Sequence, residues 1–258
     1  MKIAVCVKAV PDTETKIAIG ADKQNIETAG VKYITSPYDE FAVEEAIRLK
    51  EKNGGETVAF ALGGDEATDV LRDTLARGID SAVHLKDPLF ANADPLTTAK
   101  VLAAAIKDGG FDLVLCGQQG SGGDNSQVPS MLAELLGLPQ ANVVVKLEIT
   151  DNKFRAEREI EGAHEFVEGL LPAVVSAQKG LNEPRYPSIK GVMAARKKEI
   201  AVKDAAALGV TDQVAKRKMR VREITLPAAR PSGKRIEGDA STQAKTLVEL
   251  LRSEAHVI

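Results

Sequence analysis

The 258-residue chain predicts an α/β fold: a doubly wound, mostly parallel sheet with an antiparallel extension and an extended C-terminal arm. Three observations carry that expectation. A short apolar run, a polar or Gly-rich loop and a helical pattern recur four times before residue 137, the rhythm of βαβ units with right-handed crossovers. Hydrophobic residues make up 44% of the chain but aromatics only 3%, with no Trp. The core must then be built from Val, Ile, Leu and Ala, as when helices cover both faces of a parallel sheet. Beyond Ala141 the pattern changes to alternating segments separated by tight turns.

The first unit opens with Lys2-Ile3-Ala4-Val5-Cys6-Val7-Lys8, a buried-strand pattern. Val10-Pro11-Asp12-Thr13 breaks it, because Pro11 has no N–H for a ladder. The Pro-Asp loop then lies at the carboxyl edge of the sheet, where open α/β sheets bind ligands. A helix follows over Phe41–Lys52, with Ala42, Val43, Ala46, Ile47 and Leu49 at the helical period and Ser36 and Asp39 as candidate caps. Asn53-Gly54-Gly55 ends it. Thr57–Leu62 is the next strand, Gly63-Gly64 its loop, and Asp65 to Arg77 a helix stopped by Gly78. Ala82–Leu85 is a short strand, and Asp94 caps a helix from Pro95 to Lys107.

The fourth unit is the most informative. Leu113-Val114-Leu115-Cys116 runs into a loop with four glycines, Gly117, Gly120, Gly122 and Gly123, and a helical pattern opens behind Asp124, Asn125 and Ser126. Glycines let backbone N–H groups approach a ligand, and a helix N-terminus adds unpaired donors and a positive dipole end. The stretch reads as a phosphate cradle at the end of a parallel strand. It matches neither G-x-G-x-x-G in a first βα unit nor G-x-x-x-x-G-K-[ST], and an ordinary strand-to-helix turn is the competing reading. The loops after Val10, Leu62 and Cys116 could converge on one nucleotide.

Asn142–Ile149, Lys153–Arg158 and Glu165–Leu170 read as antiparallel strands turning at Asp151-Asn152 and Gly162, an extension closing the sheet. The charges of Arg155–Glu161 fit a solvated face, and Pro172–Ala177 returns to a buried strand. Asn182–Lys198 carries two prolines, then a short helical run displaying Ile189, Val192 and Met193 beside a basic cluster. It is either a partner-docking site or a packed crossover with a solvated end. After Ile200 the βαβ rhythm stops: Lys216–Arg222 is a short basic arm, Pro227, Pro231 and Gly233 mark an extended linker, and Thr242–Ser253 is an amphipathic helix. The expected organisation is a nucleotide-binding domain over residues 1–200 and a C-terminal arm and helix over 201–258 that wraps a partner subunit.

A net charge of −3, from 34 basic and 37 acidic residues, gives no global nucleic-acid or membrane footprint. No apolar run reaches membrane-spanning length and the N-terminus enters a strand pattern directly, so a cytoplasmic protein without membrane insertion is expected. Cys6 and Cys116 sit in apolar runs and read as buried reduced thiols. His84, His164 and His256 are isolated, and no Ser or Cys has a base nearby in sequence, so no catalytic constellation and no metal site is expected.

These stretches resemble a known family. Val7-Lys8-x-Val10-Pro11-Asp12, Pro37-Tyr38-Asp39-Glu40-x-Ala42-Val43-Glu44-Glu45-Ala46, the Gly117–Val128 loop, Glu157–Gly162 and Leu181-Asn182-Glu183-Pro184-Arg185-Tyr186 are similar to the β subunit of electron transfer flavoprotein, in order along nearly the whole chain. The resemblance implies an adenine-nucleotide-binding, Rossmann-like fold and an electron carrier rather than an enzyme. It implies a heterodimer in which an α subunit holds the redox-active FAD, and a structural AMP in this chain. Residues in positions like the family's nucleotide contacts are Cys6, Ser36, Pro37, Tyr38, Asp39, Gly63, Gly117, Gln118, Gln119, Gly122, Gly123, Asp124, Asn125, Ser126, Gln127 and Val128. Ile189, Gly191, Val192, Met193, Arg196 and Lys197 resemble the recognition loop that docks flavin dehydrogenases such as acyl-CoA dehydrogenases, with Ile189 as its anchor and the basic residues steering acidic partners. The resemblance also implies a quinone-linked oxidoreductase or another acceptor downstream.

One departure matters. Val128 stands where AMP-binding members carry Thr, which resembles the electron-bifurcating branch with a second FAD in this chain; yet Gly122-Gly123-Asp124-Asn125 lacks that branch's Asp-Gly-Asp-Thr pattern. The balance favours AMP. An unrelated nucleotide-dependent enzyme and a nucleotide-sensing binding module remain as alternatives.

Overall fold

Strand β1 (Lys2–Val7) organises the molecule: Ile3, Val5 and Val7 enter the core on one side of the sheet, Ala4 and Cys6 on the other. Such burial on both faces explains its continuous apolar run. The computed structural model describes residues 1–229 and 232–258; Pro231, expected in the linker, lies outside the described residues. β1 ends at Val7, one residue before the expected Lys8. Ala9–Pro11 (β2) instead pairs antiparallel with Tyr33–Thr35 (β3), Pro11 taking the end of a two-stranded ribbon where no further ladder bond is required.

Helix α1 (Pro37–Asn53) begins four residues before the expected start, because Pro37 supplies a helix-ready φ at its first turn. Then come β4 (Glu56–Leu62), α2 (Glu66–Arg77), β5 (Ser81–Leu85), α3 (Pro95–Ile106), β6 (Leu113–Gly117) and α4 (Val128–Leu136). The extension is β7 (Gln140–Thr150), β8 (Lys153–Ile160) and β9 (Ala163–Leu170), followed by β10 (Ala173–Ala177), α5 (Ile189–Lys197), β11 (Ile200–Lys203) and α6 (Asp212–Ala215).

Among the described residues these strands form one nine-stranded sheet in the order β11-β5-β4-β1-β6-β10-β7-β8-β9. All pairs from β11 to β7 are parallel, and β7-β8-β9 is antiparallel. Two expectations are corrected. The sheet pattern does not stop at Ile200, since Ile200–Lys203 adds a parallel edge strand to β5. The extension does not close the sheet either: β9 is its other edge, with Phe166 and Leu170 exposed.

Helices α1, α2 and α5 cover one face, where Val43, Ile47, Leu71 and Ala195 meet Ile3 and Leu113. Helices α3, α4 and α6 cover the other, where Leu102, Leu132 and Ala215 meet Ala4 and Val114. Each fully buried Leu or Val here contributes about 1.5–3 kcal/mol by leaving water. Packing divides the chain into two compact units, Met1–Arg222 and Glu223–Ile258. The second holds α7 (Ala240–Ser253), capped by Asp239, whose carboxylate accepts the Thr242 N–H at 2.8 Å. Leu247 and Val248 of α7 are exposed.

Candidate functional site

Leaving β1, the chain crosses through α1 to β4 and on to β5, then returns to β6 on the opposite side of β1. The winding direction reverses between β1 and β6, so their carboxyl ends splay apart and leave a crevice, the usual ligand position in open α/β sheets. A cleft of about 760 Å³ opens there, within the range of small-molecule sites.

Its construction starts from Asp39. This residue is buried in the first turn of α1 and does not cap that helix, correcting the expectation. Its Oδ2 accepts the Lys8 N–H at 2.8 Å and its Oδ1 accepts the Gly117 N–H at 3.0 Å, so one carboxyl group holds both sides of the switch point. Burial pushes its pKa up to about 7, against the pull of those two donors and the Lys8 charge. Ser36 occupies the cap position without capping: its hydroxyl donates to the Gln119 carbonyl and accepts the Ser121 N–H, both at 3.4 Å, so it fastens the Gly-rich loop to α1.

The loop closes on itself. Gly123 and Asp124 N–H groups donate to the Gly120 carbonyl, Gln119 Nε2 donates to Asp124 Oδ1 at 3.1 Å, and the Ser126 hydroxyl donates to Gln119 Oε1 at 2.7 Å. Gly122, Asp124 and Ser126 all have positive φ. Asp124, Asn125 and Ser126 therefore do not cap α4, which starts at Val128 behind Gln127. Among the described residues no acceptor meets the backbone N–H groups of Asn125, Ser126 and Gln127. Lys8 reaches over the same bend: a Cβ on Gly120 would stand 2.9 Å from its Nζ. Gln118 lines the cleft with Oε1 buried and unpartnered.

On the opposite wall, Gly63 follows β4, and its carbonyl accepts from His84 Nε2 at 3.0 Å. This fixes the tautomer, since a carbonyl only accepts. Leu62, Phe90 and Leu102 supply apolar surface, and Lys86 is paired with Asp65.

Of the residues singled out from sequence, Cys6, Asp39, Gly63, Gly117, Gln118, Gln119, Gly123, Asp124, Asn125, Ser126, Gln127 and Val128 line this one cleft. Ser36, Pro37, Tyr38 and Gly122 do not: Ser36 bonds to the loop at Gln119 and Ser121, and Gly122 is exposed. Sequence reading missed Lys8 and the wall from Lys86 to Pro95. The available signal was positional, since that segment also leaves the carboxyl end of a parallel strand.

The docking residues form a separate surface on α5. Ile189 is 84% exposed and Met193 61%, with Arg196 and Lys197 beside them. Val192 instead packs partly against the core, and Gly191 lies so close to α2 that a Cβ would stand 2.2 Å from the Ala76 carbonyl. They seat the helix, correcting the expected display of Val192. Arg72 fixes its end by donating to the Ala195 and Lys198 carbonyls.

Among the described residues no group of three or more His, Cys, Asp or Glu could hold a metal ion, and no helix is long and apolar enough to cross a membrane. A family model described as "Electron transfer flavoprotein domain" matches residues 24–208. The chain is 44% identical over 260 residues to an electron transfer flavoprotein subunit beta of Bacillus subtilis, with all of both chains covered. It is 41% identical to the Syntrophomonas wolfei subunit beta, covering 100% of this chain and 98% of that one. For the Bos taurus subunit beta the identity is 37%, covering 95% and 96%.

Proposed function

The chain belongs to the electron transfer flavoprotein family as a subunit beta, and from that premise we propose that it forms a heterodimer with an α subunit, which holds FAD, while its own cleft holds AMP. The flavin, when bound, supplies the electron transfer; this chain supplies a scaffold, a nucleotide site and a docking surface.

The single observation that carries the AMP reading is the cradle at the switch point. Free N–H donors at the start of α4 and the Lys8 ammonium suit a phosphate. The unpartnered Gln118 Oε1 suits a donor such as an exocyclic amine or ribose hydroxyl, and Leu62, Phe90 and Leu102 suit a purine face. Val128 favours a second reading, with a second FAD in place of AMP, because an isopropyl group cannot donate to a phosphate. Family membership replaces the alternatives of an unrelated enzyme or a nucleotide sensor.

Ile189 and Met193, rimmed by Lys190, Arg196 and Lys197, form an apolar anchor in a basic surround, suited to flavin dehydrogenases with acidic rims, such as the acyl-CoA dehydrogenases of fatty acid oxidation. The exposed Leu247 and Val248 of α7 suit burial against the α subunit. In this reading the heterodimer works in the cytoplasm and passes electrons to a quinone-linked oxidoreductase or another acceptor. Coexpression with an α subunit tests it: a flavin-containing complex should be reduced by an acyl-CoA dehydrogenase, and Ile189→Ala should lower that rate tenfold or more with flavin content unchanged. A complex without flavin, or one in which Ile189→Ala transfers electrons at the original rate, contradicts it.

A further inference from the structure

The floor of the cleft carries a chemistry that the carrier role does not use. Cys6 of β1 and Cys116 of β6 are direct neighbours in the parallel register. Both belong to the same side of the sheet, and both line the cleft while otherwise buried. Adjacent strands lie about 4.8 Å apart, inside the Cα separation that a disulfide tolerates. We propose that Cys6 and Cys116 form an oxidisable dithiol at the switch point, closed to a disulfide by a hydroperoxide when the cleft is empty and covered when a nucleotide is bound.

The step balances with hydrogen peroxide as the oxidant. One thiol releases its proton, its thiolate attacks a peroxide oxygen, and the O–O bond breaks; a sulfenic acid forms, and the departing hydroxide takes up that proton as the first water. The neighbouring thiol attacks that sulfur, forms the S–S bond and releases the second water. Two sulfurs are oxidised by one electron each and the peroxide is reduced by two. The Cys6 sulfur beside it and its own burial hold the Cys116 thiol well above its usual range. Either sulfur can react first and the other then resolves it; burial keeps the thiolate scarce, so the first step is slow. Side chains standing parallel from neighbouring strands leave their Cβ atoms farther apart than the ~3.8 Å mean of disulfides, so the bond is readily reduced. The pair is a reversible site, not a structural staple.

The oxidation depends only on the dithiol; its shielding rests on the AMP reading. The test uses the coexpressed heterodimer, stripped of mononucleotide by dialysis and either left free or reloaded with AMP, with bound AMP quantified in the same sample. After hydrogen peroxide, peptides are mapped by mass spectrometry without reduction. The expected result is a Cys6–Cys116 linked pair in the free form, reversed by dithiothreitol, forming at least tenfold more slowly where AMP is bound, and absent in Cys6→Ser and Cys116→Ser. Absence of the linked pair in the free form, in a sample where exposed Met193 has been oxidised, overturns the proposal, as does an equal rate with AMP demonstrably bound. If AMP does not bind, the AMP reading fails while the linked pair in the free form still decides the dithiol.

Discussion

Asp39 Oδ1 accepts the Gly117 N–H at 3.0 Å, and the approach is so close that a Cβ on Gly117 would stand 2.3 Å from that oxygen. The glycine is needed here for space, since its φ is not among the positive ones. Gly117→Ala should force β6 and α1 apart, lowering stability by roughly 1–3 kcal/mol. Nucleotide retained through purification should fall well below that of the unaltered chain, as read by extraction and chromatography.

Asp39 also sets a pH dependence. Its carboxyl is raised from an ordinary value near 3.8 to about 7 by burial, so between those values the folded chain holds a proton that the unfolded chain has released. Stability from this group is complete below pH 4 and is lost as pH rises through 7. Asp39→Asn should be less stable throughout, because an amide cannot accept both N–H groups, and should lack that decline. Thermal unfolding of both proteins from pH 4.5 to 8 reads the difference in slope.

Asp94 behaves oppositely. Burial raises its pKa, but the backbone N–H groups of Thr97, Lys218 and Met219 outweigh burial and hold it at about 2. Its contribution is present above its ordinary value near 3.8 and is lost as pH falls toward 2. Asp94→Ala removes the α3 cap and unpairs two further donors, with an expected loss of roughly 2–3 kcal/mol. Limited proteolysis should then cut first near Lys216–Arg222, the segment that Asp94 pins.

Arg185 ties the segment before α5 to α1. Its guanidinium meets the buried Glu44 at 2.8 Å and Glu51 at 2.7 Å, and Asn182 Nδ2 donates to the Phe41 carbonyl and Glu45 nearby. Arg185→Ala leaves Glu44 with Arg48 alone, and should lower stability by roughly 1–3 kcal/mol. Electron transfer from the donor should slow with nucleotide content unchanged; loss of both together would show that the two sites are not separable.

Much of this was legible because parallel strands announce themselves. β1, β4 and β6 are apolar on both faces, and their helices carry the 3.6 period, so the order of units and the edge holding the cleft could be read from Lys2 to Leu136. β11 could not: Ala201 and Val202 are exposed on the sheet's edge, so four residues carry no two-faced signal. The start of α4 was misplaced because Asp124 and Ser126, good caps by type, bond back to Gln119 instead. Nor does any local pattern aim Lys8 at Gly120, or Asp39 at Gly117 across 78 positions; those contacts exist only once β1 and β6 are neighbours.

In the proposed heterodimer the switch-point cleft holds AMP and the partner chain holds FAD. The deciding experiment is extraction and quantification of nucleotides from the coexpressed complex. One FAD and one AMP per heterodimer is the predicted result. Two FAD and no AMP would contradict it and assign the Val128 site to a second flavin.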